Sequence, residues 1–212
     1  MPGETSRARG LVRFFNQILH LKSVPRTGWI DRGVPDDKVE SVAEHSFQTA
    51  LVAWMAAAAD PTLDRDRVLK LAIIHDLPEA VIGDITPYDP DDVPDGDADP
   101  AGRRAFLDQR QSRSPERSAA KRRAEAAAMS GFLELLQGNA RHELAALWHE
   151  IEEGHSAEAR FVKQADKLET WLQSRAYLSR DSSLPMVSFD AEIDDVIHHP
   201  ALIAIRDAAK SK

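Results

Sequence analysis

An all-α fold is what this sequence predicts, and three observations predict it. Apolar residues recur at helical spacing along most of the chain, as in Leu11, Phe14, Phe15, Ile18 and Leu19 near its start and Phe161, Leu168, Trp171 and Leu172 further on. Helix-start signals and Pro/Gly breaks divide the chain at intervals suited to helices. No run shows a convincing two-residue alternation of the kind a half-buried strand needs. The 212 residues, 42% of them apolar, fit one domain with a sizeable core.

The elements follow in order. A first helix is predicted near residues 6–20. Residues 21–40 read as a loop, punctuated by Pro25, Gly28, Gly33 and Pro35. Ser41-Val42-Ala43-Glu44 is a capping box: hydroxyl and carboxylate reciprocally satisfy free backbone N–H groups. The helix it opens should run to about Ala59, where Asp60-Pro61 breaks the chain. A third helix covers 65–77, with Val68, Leu69, Ala72 and Ile73 on its buried stripe. Pro78 interrupts its end, and a helical turn within 79–86 leads into Gly83-Asp84. Residues 88–117 are acidic with Pro and Gly first, then basic and polar, which predicts a long, mobile, charged loop insertion. Phe106 and Leu107 mark a short helical turn inside it. Helices resume at 116–137, 140–153 and 157–178, with weaker ones near 190–197 and 200–209. The organisation expected is a single domain over 1–212, with a core of about 11–178 and a helical tail of about 190–212.

Charge and composition exclude several functions. The formal net charge is -8, so no basic face is expected for DNA or RNA, while a local basic pocket for a small phosphorylated ligand stays compatible. The absence of cysteine excludes disulfides, thiolate zinc sites and cysteine nucleophiles. The N-terminal MPGETSRARG lacks the apolar stretch of a signal peptide. The longest apolar stretch, Ala50 to Ala59, is too short to span a bilayer. A cytoplasmic protein without membrane contact is the expectation.

Chemistry concentrates on a few histidines and carboxylates that fall on apolar helical segments. His45 lies one turn into the second helix, His75-Asp76 ends the third, and Asp166 lies inside the last long one. A bare buried carboxylate is costly unless a cation or donor compensates it. Two imidazoles and two carboxylates offered by three helices suit one divalent metal ion, and the mixed N/O set is compatible with Mn, Fe, Co, Ni or Zn without choosing among them. Such a metal activates water and polarises a phosphoryl oxygen. Glu79, four residues after His75, suits general acid or base work, and Asp84 suits substrate orientation or a share in the acid role. Each piece alone has a plainer reading. A single helical histidine is usually structural, and Asp166 could simply pair with Lys163 or Lys167. Arg26 offers a planar fork for phosphate. Trp29 could wall off a sugar or base, or plug the core, and the two readings weigh equally. The run Lys121-Arg122-Arg123-Ala124-Glu125 reads as a solvated helix face, although Arg122 or Arg123 could approach a phosphate. His20, His142, His149 and His155 read as surface residues, and His198-His199 as a tail pair outside the metal site.

Taken together, the segments Ser41–Ser46, Ala72–Ala80, Gly83–Pro87 and Lys163–Glu169 resemble those of the HD-domain hydrolases, whose metal signature runs His…His-Asp…Asp. Val24–Trp29 and Ser156–Gln164 narrow the resemblance to the 5'-deoxynucleotidase branch, the HD domain-containing protein 2 group. The resemblance covers roughly residues 11–178. It implies a metal-dependent phosphomonoesterase acting on (deoxy)nucleoside 5'-monophosphates, with one divalent ion on His45, His75, Asp76 and Asp166; Mg joins the candidate metals. It implies Glu79 in catalysis, Asp84 on the substrate side near the sugar, and Arg26 and Trp29 in the substrate loop. In related bacterial nucleotidases the Arg and Trp are adjacent, whereas Thr27-Gly28 intervene here. It also implies a nucleotide partner and a homodimer, for which Trp148 and Trp171 could supply an apolar patch. Residues 88–117 exceed the usual connection after Gly-Asp-Ile. Other HD reactions remain open at this point: a specialised phosphatase, a phosphodiesterase, a triphosphohydrolase or an iron oxygenase. So does a helical protein with a purely structural metal.

Overall fold

A computed structural model describes residues 2–211, and among them it contains helices and no strand. Helix α1 (Pro2–Ile18) runs into a 3-10 turn over Leu19–Lys22. The central layer is α3 (Val42–Ala56), α4 (Arg65–Ile74) and α9 (Ala157–Leu178), which pack on one another, with the five-residue α2 (Thr27–Asp31) ahead of them. The four-residue α5 (Glu79–Ile82), α6 (Pro100–Leu107), α7 (Pro115–Leu135) and α8 (Gly138–Glu153) follow, and α10 (Val187–Val196) and α11 (Pro200–Lys210) close over α9.

Local sequence accounts for the main boundaries. The capping box forms as read: Ser41 Oγ accepts from Glu44 N at 3.2 Å, and Glu44 Oε2 accepts from Ser41 N at 2.7 Å. Asp64 and Ser156 cap α4 and α9 in the same way, each accepting from a backbone N–H three residues on. Gly10 lies where α1 crosses the last turn of α7, and a Cβ there would fall 2.1 Å from the Leu135 carbonyl oxygen. The core between these helices holds Val42, Leu71, Phe132, Phe161, Leu168 and Trp171, all essentially without solvent contact.

Four expectations need correction. Residues 21–40 are not only loop, because Thr27–Asp31 forms a helical turn, and a single antiparallel bridge between Pro25 and Ser41 clips the segment's ends together. Residues 88–117 hold more than the short helical turn expected at Phe106 and Leu107. They contain α6, whose N-cap Asp99 accepts from Gly102 N at 2.8 Å. Tyr88 and Leu107 bury their side chains, and Arg103 donates to the Asp31 carbonyl at 2.8 Å. Trp148 and Trp171 are buried and supply no surface patch. Exposed apolar residues group instead on α3, as Phe47, Leu51 and Met55, and on α1 and the turn after it, as Val12, Phe15 and Leu19, with Ile30, Ile73, Val81 and Val187 exposed singly elsewhere, so that Ile73 is not on the buried stripe of α4. No helix among the described residues is long and apolar enough to cross a membrane.

Candidate metal centre and active-site cavity

Three packed helices bring the histidines and carboxylates together. His45 projects from the first turn of α3, His75 caps the C-terminus of α4 with Asp76 beside it, and Asp166 comes from the middle of α9. His45 Nε2 lies 3.1 Å from Asp166 Oδ1 and 3.6 Å from Asp76 Oδ2, and His75 Nε2 lies 3.2 Å from Asp76 Oδ2. The two imidazole rings are 5.5 Å apart, edge to face.

The opposite ring nitrogens are already engaged. His75 Nδ1 faces the Ala72 carbonyl oxygen at 2.7 Å, and His45 Nδ1 faces Glu169 Oε2 at 2.5 Å. A carbonyl can only accept, so His75 carries its proton on Nδ1 and turns the Nε2 lone pair inward. Glu169 orients His45 likewise, the carboxylate–histidine arrangement that typically backs a metal ligand. Both Nε2 atoms are buried and lack a hydrogen-bond partner; the short approach to Asp166 does not have hydrogen-bond geometry. Orphaned buried nitrogens facing carboxylates are what a divalent cation satisfies, so the donor set fits the metal. Glu40, His45 and Glu169 form a second buried cluster on the other side of the ring. Its carboxylates have partners, Glu40 Oε1 taking the Trp29 Nε1–H at 2.8 Å and Glu169 taking His45, so the first cluster is the better metal site.

Electrostatics agree. Burial works against a charged His45, as does Arg26, but Asp166 and Glu169 prevail and lift the ring to about 10. Burial would raise Asp76 and Asp166 as well, yet His75 holds Asp76, and His45 holds Asp166, well below the usual carboxylate range. The metal-free cluster therefore keeps protons where its negative charge calls for a cation, and metal binding must release them.

A cavity of about 300 Å³ opens beside this cluster, with Asp76, Asp166, Glu79, Asp84 and Arg26 in its wall. Glu79 is buried on α5 with Oε2 unpartnered. Burial, then Asp76 and Asp84, push its carboxyl well above the ordinary range, against the pull of Lys121 and Arg26. Asp84 follows Gly83, whose φ of 75° is a left-handed turn that suits glycine. There Asp84 Oδ2 accepts from Thr27 N at 2.7 Å, tying the start of α2 to the turn. Arg26 Nη1 sits between Asp76 and Asp84 at 3.7 and 3.6 Å, and Nη2 reaches Thr170 Oγ1 at 3.4 Å. Asp84 first, then Asp76, keep Arg26 charged despite burial. Trp29 borders the cavity but is only 2% exposed, packed on Tyr177 and Phe189.

This chain matches the HD domain family over residues 18–196. The chain belongs to the HD domain family. Among its relatives, the mouse protein named 5'-deoxynucleotidase HDDC2 is 37% identical over 168 residues, covering 79% of this chain and 70% of that one. The human protein of the same name is 36% identical over 170 residues, covering 80% and 69%. A Magnetospirillum magnetotacticum structure described as a "Predicted metal-dependent phosphohydrolase" superposes with a TM-score of 0.63 at 25% identity, over 94% of this chain and 85% of that one.

Within this HD domain, several residues at or behind the site had no role in the sequence reading. Glu169 is three residues after Asp166 and so shares its helix face, a signal the motif contained. Lys121 lines the cavity, while Arg122 and Arg123 are exposed and do not. Helical phase would have found it, because Lys121, Glu125, Ala128 and Phe132 share one face of α7 and the last two are buried. The 88–117 segment contributes Gln109, Arg110, Gln111 and Arg113 to the cavity's outer wall. His20, His142, His149, His155 and His198 are exposed, and His199 pairs with Asp60 at 3.0 Å, away from the cluster.

Proposed function

We propose that this protein hydrolyses (deoxy)nucleoside 5'-monophosphates to nucleoside and inorganic phosphate. The observation that carries the reading is the pair of orphaned nitrogens, His45 Nε2 and His75 Nε2, facing Asp76 and Asp166 beside a cavity that also holds Glu79 and Arg26. The names of the mouse and human relatives support the nucleotide as substrate. In this reading His45, His75, Asp76 and Asp166 hold one divalent ion, drawn from Mn, Co, Fe, Ni, Zn or Mg. Such an ion supplies an activated water and polarises the phosphoryl oxygens.

The chain's own residues do the rest. Arg26, fixed by Asp76 and Asp84, walls the phosphate end and orients the sugar. Glu79, its carboxyl pushed upward by burial and its acidic neighbours, gives its proton to the leaving 5'-oxygen as the P–O bond breaks. Water's oxygen becomes the fourth oxygen of phosphate, and a water proton restores Glu79, so the products are the nucleoside and hydrogen phosphate. Asp84 holds the turn that presents the sugar side. Trp29 supports the substrate loop from beneath, its indole N–H committed to Glu40.

The test is phosphate release from matched 2'-deoxy and ribo monophosphates with each metal added in turn and metal content measured on the same sample. Hydrolysis favouring the deoxy series, abolished in His75→Ala and Asp76→Ala, is the expected result. Full turnover in either variant refutes the site. A homodimer belongs to the same reading, supported by the exposed stripe of Phe47, Leu51 and Met55 on α3. Sedimentation of the unaltered protein measures it.

A further inference from the structure

Lys121 is a cation held in the cavity with little reason to be there on stability grounds. Its Nζ lies 3.1 Å from Glu125 Oε1 and 3.6 Å from Glu79 Oε1, with the side chain 19% exposed. Holding so long a side chain costs rotamer freedom, and a Lys–Glu pair one turn apart forms as well on an open helix surface. The cavity's four arginines are already committed, and Lys167 on its rim is exposed. Arg26 Nη1 is shared by two carboxylates. Arg32 donates to five neutral oxygens, and Arg113 donates to the carbonyls of Ile85 and Thr86. Arg110 pairs with Asp195 at 3.3 Å. An ammonium has three donors, and two neighbouring carboxylates leave one for a ligand.

Position favours the same role. Lys121 stands on α7 across from α5, beside the very carboxyl proposed to protonate the leaving oxygen. A dianionic phosphate entering next to Asp76, Asp84, Asp166 and Glu79 meets strong negative charge, and a mobile point charge at that edge offsets it.

We infer that Lys121 receives the phosphoryl group, donating a hydrogen bond to a non-bridging oxygen. This rests on the phosphomonoesterase reading above. Lys121 makes no covalent bond and keeps its proton throughout, so it is a binding group for the reacting phosphorus and not an acid or base.

The experiment compares the metal-loaded protein with Lys121→Gln and Lys121→Arg, using steady-state hydrolysis of a deoxynucleoside monophosphate and product inhibition by inorganic phosphate. Lys121→Gln should weaken phosphate inhibition about tenfold or more and raise KM in parallel, the size expected for one charge-assisted hydrogen bond. Lys121→Arg should keep phosphate inhibition within a few-fold. A purely structural role, holding Glu79 in place, predicts a fall in kcat with phosphate inhibition unchanged, and that result overturns the inference. Thermal melting confirms that the glutamine variant is folded; Lys121→Met gives the same readout if it is not. If the unaltered protein hydrolyses no nucleotide, the proposed function fails separately. Calorimetric binding of phosphate to the metal-loaded protein then decides Lys121, and equal affinity in unaltered and Lys121→Gln proteins refutes its role.

Discussion

Replacing Glu169 tests the metal centre without touching a ligand. Its Oε2 stands 2.5 Å from His45 Nδ1, and both side chains are almost wholly buried. Removing a hydrogen-bond partner behind a metal-bound histidine typically lowers metal affinity by about 10–100-fold, or about 1.4–2.7 kcal/mol. Which end applies depends on what replaces the carboxylate. Glutamine keeps an acceptor oxygen for the Nδ1–H and loses only the charge, so Glu169→Gln should bind metal about tenfold more weakly. Alanine leaves a buried N–H without a partner, which adds about 1–3 kcal/mol of unsatisfied polar burial. Glu169→Ala should therefore weaken metal binding about 100-fold and also lower the melting temperature of the metal-free protein. The assay is competition for metal against a chromophoric chelator, with thermal melts of the stripped proteins alongside. Affinities within twofold of the unaltered protein in both variants, or glutamine weaker than alanine, would show that Glu169 does not support the ligand.

Other outcomes follow from the same structure. Burial, then the Glu169 carboxylate, push Glu40 from an ordinary 4.5 to about 7. The folded state therefore keeps a proton that the unfolded chain gives up. Stability from this group is complete below about pH 4.5 and is lost as pH rises through 7, by about 3 kcal/mol at about 1.4 kcal/mol per pH unit. Glu40→Gln, which mimics the protonated form, should be more stable than the unaltered protein at pH 8 and equal to it at pH 4.5; denaturant melts at both pH values measure this, and equal differences at the two would contradict it. Ser41→Ala removes one bond of the capping box and should cost about 1 kcal/mol in a urea melt, while Ser41→Asn should restore most of it. Leu107→Ala should cost about 2–5 kcal/mol if the segment unfolds with the whole domain. Hydrogen exchange that rises only between residues 88 and 114 would instead identify that segment as a separately unfolding unit.

Much of this was legible in the sequence because it depends on local rules. The capping box at Ser41, the break at Asp60-Pro61 and the phase of α9 are settled by neighbours within a turn. What the sequence hid depends on distant partners. Thr27–Asp31 contains a glycine and is too short to persist alone; its start is held by Asp84, 57 residues away. The charged composition of 88–117 argued for a mobile loop, yet Asp99-Pro100 was a readable helix start and Tyr88 and Leu107 were its anchors. The clustered histidines and carboxylates were readable because their motif is spread over three strongly periodic helices. Lys121 was hidden by two arginines that make its helix face look uniformly basic and solvated. Trp29 could be read two ways until its N–H was seen bonded to Glu40.

Arg32 gives the molecule a division of labour. Its buried guanidinium donates to Gly28, Pro185 and Leu107 carbonyls and to the Tyr88 and Ser188 hydroxyls, and it lies 4.6 Å over the Phe189 ring. One side chain thus rivets α2, the 88–117 segment and α10 together, whereas the metal cluster stands on α3, α4 and α9. The outer wall of the cavity and the cluster beneath it are therefore two modules, and Arg32 fastens the pieces of the outer one to each other. A lineage could redesign the outer module, lengthening it or changing its wall, and inherit the inner one intact. The same architecture allows failure by halves: a chain whose rivet is lost would loosen the wall around the cavity while the cluster on α3, α4 and α9 keeps its place.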